Sequence, residues 1–333
     1  MKKALVIGGS RLLGPRLVEL LVHGGYETVI FNRGSRQMRP EWTTVKMIVG
    51  DRNSEEDLQR LASSNFSLVF DTCCYEPRQA KMVVKAFNGR VDHYVYVSSV
   101  AAYREPNSWP VAEDAPLGEW KLWGDYGLNK ARTDQVFADL FQSTNFPITI
   151  IRPSYVLGVA NHVEREAFFV SRLLNGIPVV IPGDGQAQIH FAFADEVALA
   201  MLMLAEANSS IGEAFNCVTD RSVSLEEFVR LCARLLNVDV RILYADERRF
   251  GISNEPYDAP KLSPFSNMPV TIDNNKLKQL LGFNFTALEN QLSSVLGWYA
   301  RLQPNPPVNL REKEVEVLTS TNFKEIVDKY VHQ

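Results

Sequence analysis

Ala4-Leu5-Val6-Ile7-Gly8-Gly9-Ser10-Arg11-Leu12-Leu13-Gly14-Pro15-Arg16-Leu17-Val18 begins with four apolar residues, breaks at paired glycines and resumes as an amphipathic run. Four consecutive apolar residues closed off by glycine predict a buried strand over Ala4–Ile7. Proline is favoured in the first turn of a helix, so the second run predicts a helix over Pro15–Val22. Gly8, Gly9 and Gly14 then lie in the turn between the two. Glycine lets such a turn close and lets the backbone approach a pyrophosphate. The helix N-terminus adds N–H groups and a positive dipole end. A glycine cluster alone is weak evidence, because turns use glycine anyway; between a strand and a helix it predicts dinucleotide binding. The predicted cradle is Gly8, Gly9, Ser10, Arg11, Leu12, Leu13 and Gly14.

Working outward, the same rhythm continues. Further strands are predicted over Thr28–Phe31, Thr44–Val49, Leu68–Phe70, His93–Val97 and Ile148–Ile151, with helices over Ser54–Ala62, around Gln79–Phe87 and over Asn129–Phe141. Continuous apolar strands alternating with helices mean a parallel sheet covered on both faces. The second half loses this alternation: helices over Arg165–Leu174, Asp195–Ala207 and Ser224–Leu236, strands over Val179–Ile181 and Ala214–Val218. Ser224-Leu225-Glu226-Glu227 reads as a capping box. The stretch Asn254–Pro269 reads as a long irregular segment. The expected fold class is therefore α/β, a Rossmann-type doubly wound parallel sheet with a smaller C-terminal α+β substrate domain. Residues 1–157 with a return segment at about 190–218 form the first domain, and 158–189 with 219–333 the second.

The 333 residues exceed what one core usually holds, which supports that division. A net charge of −4 gives no bulk attraction to a polyanion, so nucleic acid is not an expected partner. No run reaches the ~20 apolar residues of a membrane helix. Met-Lys-Lys before Ala4–Ile7 is too short and too soon interrupted for a signal peptide, so a cytoplasmic location is expected. Cys73 and Cys74 are adjacent, while Cys217 and Cys232 are remote; neither a disulfide framework nor a metal site is expected.

The second strand runs into Phe31-Asn32-Arg33, where a dinucleotide fold that prefers NAD often places an acidic residue for the ribose 2′-OH. Asn32 stands there instead, with Arg33, Arg36 and Arg11 near it in the predicted layout. Such a set suits a 2′-phosphate, so the cofactor reading favours NADP over NAD. Arg11 reads either as a phosphate ligand or as a solvated rim residue. Asp51, with Arg52 beside it, follows the third strand.

Ser98-Ser99 follows the fifth strand, and Tyr126-Gly127-Leu128-Asn129-Lys130 places a phenol and an ammonium four residues apart, on one helix face. A nearby positive charge favours phenolate, which suits tyrosine to proton transfer near neutral pH. Ser99 reads as a hydroxyl donor to a substrate oxygen or as a strand-end cap. Trp109, Trp120 and Trp123 read as packing or as walls of a substrate cleft.

Together Gly-Gly-Ser-Arg-Leu-Leu-Gly at 8–14, Tyr-Val-Tyr-Val-Ser-Ser at 94–99, Tyr-Gly-Leu-Asn-Lys at 126–130 and Ile-Arg-Pro-Ser-Tyr-Val-Leu-Gly at 151–158 resemble the extended short-chain dehydrogenase/reductases, the NAD(P)-dependent epimerase/dehydratase family. The resemblance covers most of the chain. It implies that Ser99 polarises the substrate, that Tyr126 is the general acid/base, and that Lys130 tunes Tyr126 and holds the nicotinamide ribose. It also implies that Asp51 bonds adenine, that the loop at Pro153 passes the nicotinamide, and that a homodimer is possible. Three departures qualify it. Arg11 replaces the middle glycine. Val100 and Ala101 stand where dehydratases add an acidic residue. Ile189 replaces the arginine that grips a substrate diphosphate in nucleotide-sugar epimerases, beside His190. The first and last, with Asn161-His162 to Phe169, are also similar to the chloroplast stem-loop RNA-binding branch of the superfamily. The expectation is hydride transfer on a small sugar or sugar-like substrate, epimerase-like first, with NADPH-dependent ketone reduction second and RNA binding on the same fold third.

Overall fold

The computed structural model describes residues 2–246, 248–251, 262–302 and 306–331. Residues 254–261 of the predicted irregular stretch lie outside them. The chain divides into two units. The first comprises Met1–Val156, Ala192–Val218 and Ile272–Phe285, and the second Leu157–Phe191, Thr219–Thr271 and Thr286–Gln333.

In the first unit β1 (Lys3–Ile7), α1 (Leu13–His23), β2 (Glu27–Asn32), β3 (Lys46–Val49), α2 (Glu55–Ala62), β4 (Leu68–Asp71), α3 (Pro77–Phe87), β5 (His93–Val97), α4 (Gly124–Thr144) and β6 (Ile148–Pro153) follow in order. The strand Ala214–Cys217 joins them in a seven-stranded sheet. All its pairings are parallel, in the order Ala214–Cys217, β6, β5, β4, β1, β2, β3. Strand order reverses at β1, which makes this a Rossmann-type sheet with its switch point beside the glycine turn. Alternation along each strand feeds two cores. Ala4, Val6, Ile30 and Phe70 pack with α1 and the helix Ala194–Glu206 on one face. Leu5, Ile7, Val29 and Val69 pack with α2, α3 and α4 on the other. The segment 272–285, which the sequence assigns to the second domain, packs here through Leu277 and Phe283. Its helix, Asn275–Leu281, is only 7 residues long and leaves too short a period to read.

The second unit is built on the helices Arg165–Leu174, Leu225–Leu236, Leu288–Leu302, Glu312–Ser320 and Lys324–Val331. Val179–Pro182 pairs in parallel with Ile242–Ala245, and Gln188–Ile189 runs antiparallel to Val223–Ser224. Phe169, Phe191, Phe228 and Phe265 interlock with ring centroids 4.7–5.7 Å apart. The predicted capping box shows its first half, Ser224 Oγ accepting from the Glu227 N–H, while the Glu227 carboxylate accepts from Arg221. Glu166 is fully buried: its carboxylate accepts from the Gly158 N–H and from Asn161 Nδ2, and burial pushes its pKa up to about 7.

The cysteines are free, and Cys74, Cys217 and Cys232 are buried. Burial pushes the Cys74 thiol up to about 12 and the other two higher still. Among the described residues no helix is long and apolar enough to cross a membrane, and no cluster of His, Cys, Asp and Glu is arranged to hold a metal.

Candidate active site

Gly8 and Gly9 adopt φ +102° and +77°, a region closed to most side chains. A Cβ on Gly8 would meet Thr72 Oγ1 at 2.3 Å, and one on Gly14 would meet the Gly9 backbone at 2.6 Å. The end of the turn thus closes on Gly9 only because Gly14 lacks a Cβ, while Gly8 must be glycine to pass Thr72. Leu12, the N-cap of α1, holds φ +47° and gives no side-chain cap, and the first turn carries no acidic residue. The N–H groups at that end are left without a side-chain acceptor, which is the arrangement that receives an anion. Nothing in the sequence signals a positive φ at a leucine. Leu13 and Gly14 are buried, while Arg11 is exposed at the rim.

Asn32 ends β2 and turns back on the same loop, donating from Nδ2 to Gly8 O (3.3 Å) while Oδ1 accepts from the Gly34 N–H (2.8 Å). Arg33 and Arg36 are exposed, and with Arg11 they make no ion pair among the described residues. Asp51 is exposed and accepts from the Asn53 N–H. Arg52 turns inward: it donates to Asp71 (3.0 Å), Gln79 and the Cys73 carbonyl, and Asp71 also accepts from Tyr94 Oη (2.7 Å). The structure therefore gives Arg52 a buried ion-pair partner rather than a place facing solvent.

β5 ends at Val97, and Ser99 caps the short turn Val100–Ala102, its Oγ accepting from the Ala101 N–H at 3.1 Å. Accepting that bond leaves the hydroxyl proton available to a substrate, so the cap and the donor reading coexist. Tyr126 lies half-buried in the first turn of α4. The sequence predicts this helix from Asn129; it begins at Gly124. Lys130 is buried, and all three of its donors are used: to Cys74 O (2.7 Å), Val97 O (2.8 Å) and Tyr96 Oη (3.3 Å). The rings of Tyr75 and Tyr96 lie 4.9 Å from its nitrogen. Burial lowers the Lys130 pKa to about 8, against the opposing pull of Cys74, Asp134 and Asp71. Pro153 closes β6 in the strand position next to Ser99, where the Ser98 N–H donates to Ile151 O (2.8 Å). Trp109, Trp120, Trp123 and Tyr155 form a ladder of rings 5.2–5.8 Å apart leading to the start of α4.

Sequence reasoning missed the acid one turn beyond Lys130. Asp134 accepts from Ser98 Oγ (2.6 Å) and Arg152 Nε (2.8 Å), and Arg152 continues to Tyr103 Oη (3.0 Å). The signal that finds it is the spacing of four from Tyr126 to Lys130 to Asp134.

Residues 79–217, which include Ser99, Tyr126, Lys130 and Arg152, match the model of the NAD dependent epimerase/dehydratase family. Over that segment the chain is similar to the family. It is an NAD(P)-dependent enzyme of the extended short-chain dehydrogenase/reductase type. A relative, the UDP-glucose 4-epimerase of Azospirillum brasilense, is 25% identical over 90% of this chain and 93% of its own. The chloroplast stem-loop binding protein of 41 kDa b from Arabidopsis thaliana is also 25% identical, over 85% and 75%. The fold is that of UDP-glucose 4-epimerase from Thermotoga maritima, with a TM-score of 0.76 at 19% identity over 90% of this chain and 99% of that one. UDP-glucuronic acid 4-epimerase from Bacillus cereus, solved with NAD, gives 0.74 at 17% over 91% and 98%.

Proposed function

We propose that this protein catalyses epimerase-like hydride transfer on a sugar or sugar-nucleotide substrate, with Ser99, Tyr126 and Lys130 as catalytic residues and NADP as the favoured cofactor. The observation that carries this reading is the seating of Tyr126 and Lys130 on one face of α4, against the end of β5 where Ser99 stands. The glycine turn fits a dinucleotide: its cradle would be filled by any Cβ at Gly8 or Gly14, and the α1 N-terminus lacks a side-chain cap. Gly8, Gly9 and Ser10 through Gly14 would hold the pyrophosphate, Asp51 the adenine, and Arg33 and Arg36 with Arg11 a 2′-phosphate. Held there, the dinucleotide would supply reversible hydride chemistry to the substrate carbon. Ser99 donates to the substrate oxygen, and Tyr126 Oη removes and later restores the hydroxyl proton. Lys130 would lend positive charge to that phenol from one turn along α4, and to reach a ribose edge its ammonium would have to release one of its three protein acceptors.

Val100 and Ala101 are both buried and carry no acid, which disfavours dehydration. Ile189 is fully buried against Val223 and Val270, so no cation stands where nucleotide-sugar epimerases grip a diphosphate. That favours, as a second reading, NADPH-dependent reduction of a sugar-like ketone that has no diphosphate.

Freshly purified protein, denatured and assayed by mass spectrometry, tests the first reading. Stoichiometric release of NADP or NAD is expected of an epimerase that recycles its cofactor. An empty protein that binds NADPH supports the reductase, and binding of neither nucleotide sinks both. Tyr126→Phe is expected to abolish conversion of UDP-glucose or UDP-galactose, read by chromatography, while cofactor affinity stays within about twofold of wild type. Retained conversion would remove Tyr126 from its assigned role.

A further inference from the structure

Tyr126, Lys130 and Asp134 recur at intervals of four along α4, and residues so spaced share one helix face. Asp134 is almost wholly buried, 1% exposed, and spends its carboxylate on two neighbours. Ser98 Oγ donates to one oxygen at 2.6 Å from the end of β5, and Arg152 Nε donates to the other at 2.8 Å from β6. Ser98 adjoins Ser99, and Arg152 adjoins Pro153. Arg152 is itself held by Tyr103 Oη and the Glu113 carbonyl, and Tyr103 donates to Asn216 Oδ1. Ser98, Asp134, Arg152, Tyr103 and Asn216 are all buried, and Glu113 at the end of the chain is half-buried.

We propose that Asp134 is a positioning residue for the catalytic trio: one carboxylate clamps α4 onto the ends of β5 and β6 and balances the ammonium of Lys130 one turn away. The inference rests on the reading of Ser99, Tyr126 and Lys130 given above. The groups that bear on Lys130 are Asp71 on β4, Cys74 and Tyr75 in the loop after it, Tyr96 on β5, Arg52 before α2, and Asp134 on its own helix. Arg52 is already matched by Asp71. Asp134 is the further carboxylate on that surround.

The test follows the Lys130 Cε resonance of the full chain, ¹³C-labelled at lysine and assigned with Lys130→Arg, from pH 6 to pH 11. In Asp134→Asn the titration midpoint is expected to fall by about one unit or more, and in Asp134→Glu to return toward wild type. Asp134→Asn leaves Arg152 buried without its partner and carries a folding risk. The paired change Asp134→Asn with Arg152→Met removes both charges as a neutral unit, the exchange buried pairs tolerate best. The midpoint is expected to fall there too, because Arg152 faces Asp134 and Tyr103 rather than Lys130. A midpoint unmoved in whichever of these folds overturns the proposal, whether or not the protein turns over any sugar. With UDP-glucose as probe, kcat is expected to drop at least tenfold in Asp134→Asn with KM little changed. Loss of conversion in Tyr126→Phe alongside an unmoved Lys130 midpoint would leave the trio standing and remove only Asp134.

Discussion

Gly14 has no room for a methyl group, since its Cβ would stand 2.6 Å from the Gly9 backbone. Backbone cannot rotate away as a side chain can, so Gly14→Ala is expected to destabilise the protein by about 2–3 kcal/mol. It should also weaken dinucleotide binding at least tenfold; chemical denaturation and a fluorescence titration with NADPH check the two parts. This residue was legible, because a strand, a glycine pair and a helix start leave little else for it to do. Leu12 was not, since its positive φ comes from the closure of the turn and not from its own preference. Nor was the inward turn of Arg52, whose partner Asp71 comes from a different strand. The spacing of Lys130 from Tyr126 was legible as one helix face, but its three protein acceptors belong to two other segments and no local pattern announces them.

Among elements, α4 teaches most. Gly124 and Gly127 lower helix propensity, which is why a local reading starts the helix five residues late. Gly127 is there for a tertiary reason: a Cβ would meet Ala101 O at 2.5 Å and Trp123 Cβ at 2.7 Å. Gly127→Ala, which would stabilise an isolated helix, is therefore expected to lower stability by about 1–3 kcal/mol and to reduce kcat by displacing Tyr126. A higher melting temperature with unchanged kcat would refute that account. The helix Arg165–Leu174 was legible to the residue, yet its Glu166 was not recognisable as a buried acid. With a folded pKa of about 7 against about 4.5 unfolded, Glu166 binds its proton more tightly in the native state. Its contribution is fully present below pH 4.5 and is lost as pH rises through 7, by about 3 kcal/mol. Urea unfolding at pH 5 and pH 8 should show that component in wild type and lose it in Glu166→Gln.

At the scale of the molecule, the net charge of −4 hides a local excess of cations after β2. If Arg33 and Arg36 receive a 2′-phosphate, Arg33→Ala and Arg36→Ala should each raise the NADP⁺ dissociation constant about tenfold, or 1.4 kcal/mol, and leave that of NAD⁺ nearly unchanged. The difference should shrink with added salt. Equal losses for both nucleotides would return these arginines to the solvated rim. The parallel sheet was legible because its inner strands β1, β4 and β5 are buried on both faces and read as largely apolar runs, while the edge strand β3 is exposed at Lys46 and Val49. The second unit was harder: its short bridges of 2 residues, Gln188–Ile189 and Val223–Ser224, fall below any period.

Buried, protonated thiols are poor nucleophiles, and they are distributed unevenly: Cys74 and Cys217 belong to the first unit, Cys232 to the second. Each unit thus carries an internal clock. Under native conditions an alkylating reagent can reach these sulfurs only during an opening event, so peptide-resolved labelling times the breathing of each unit separately. Matching rates at Cys217 and Cys232 would mean that the two cores open as one cooperative body, and a faster Cys232 would mean that the second unit opens first.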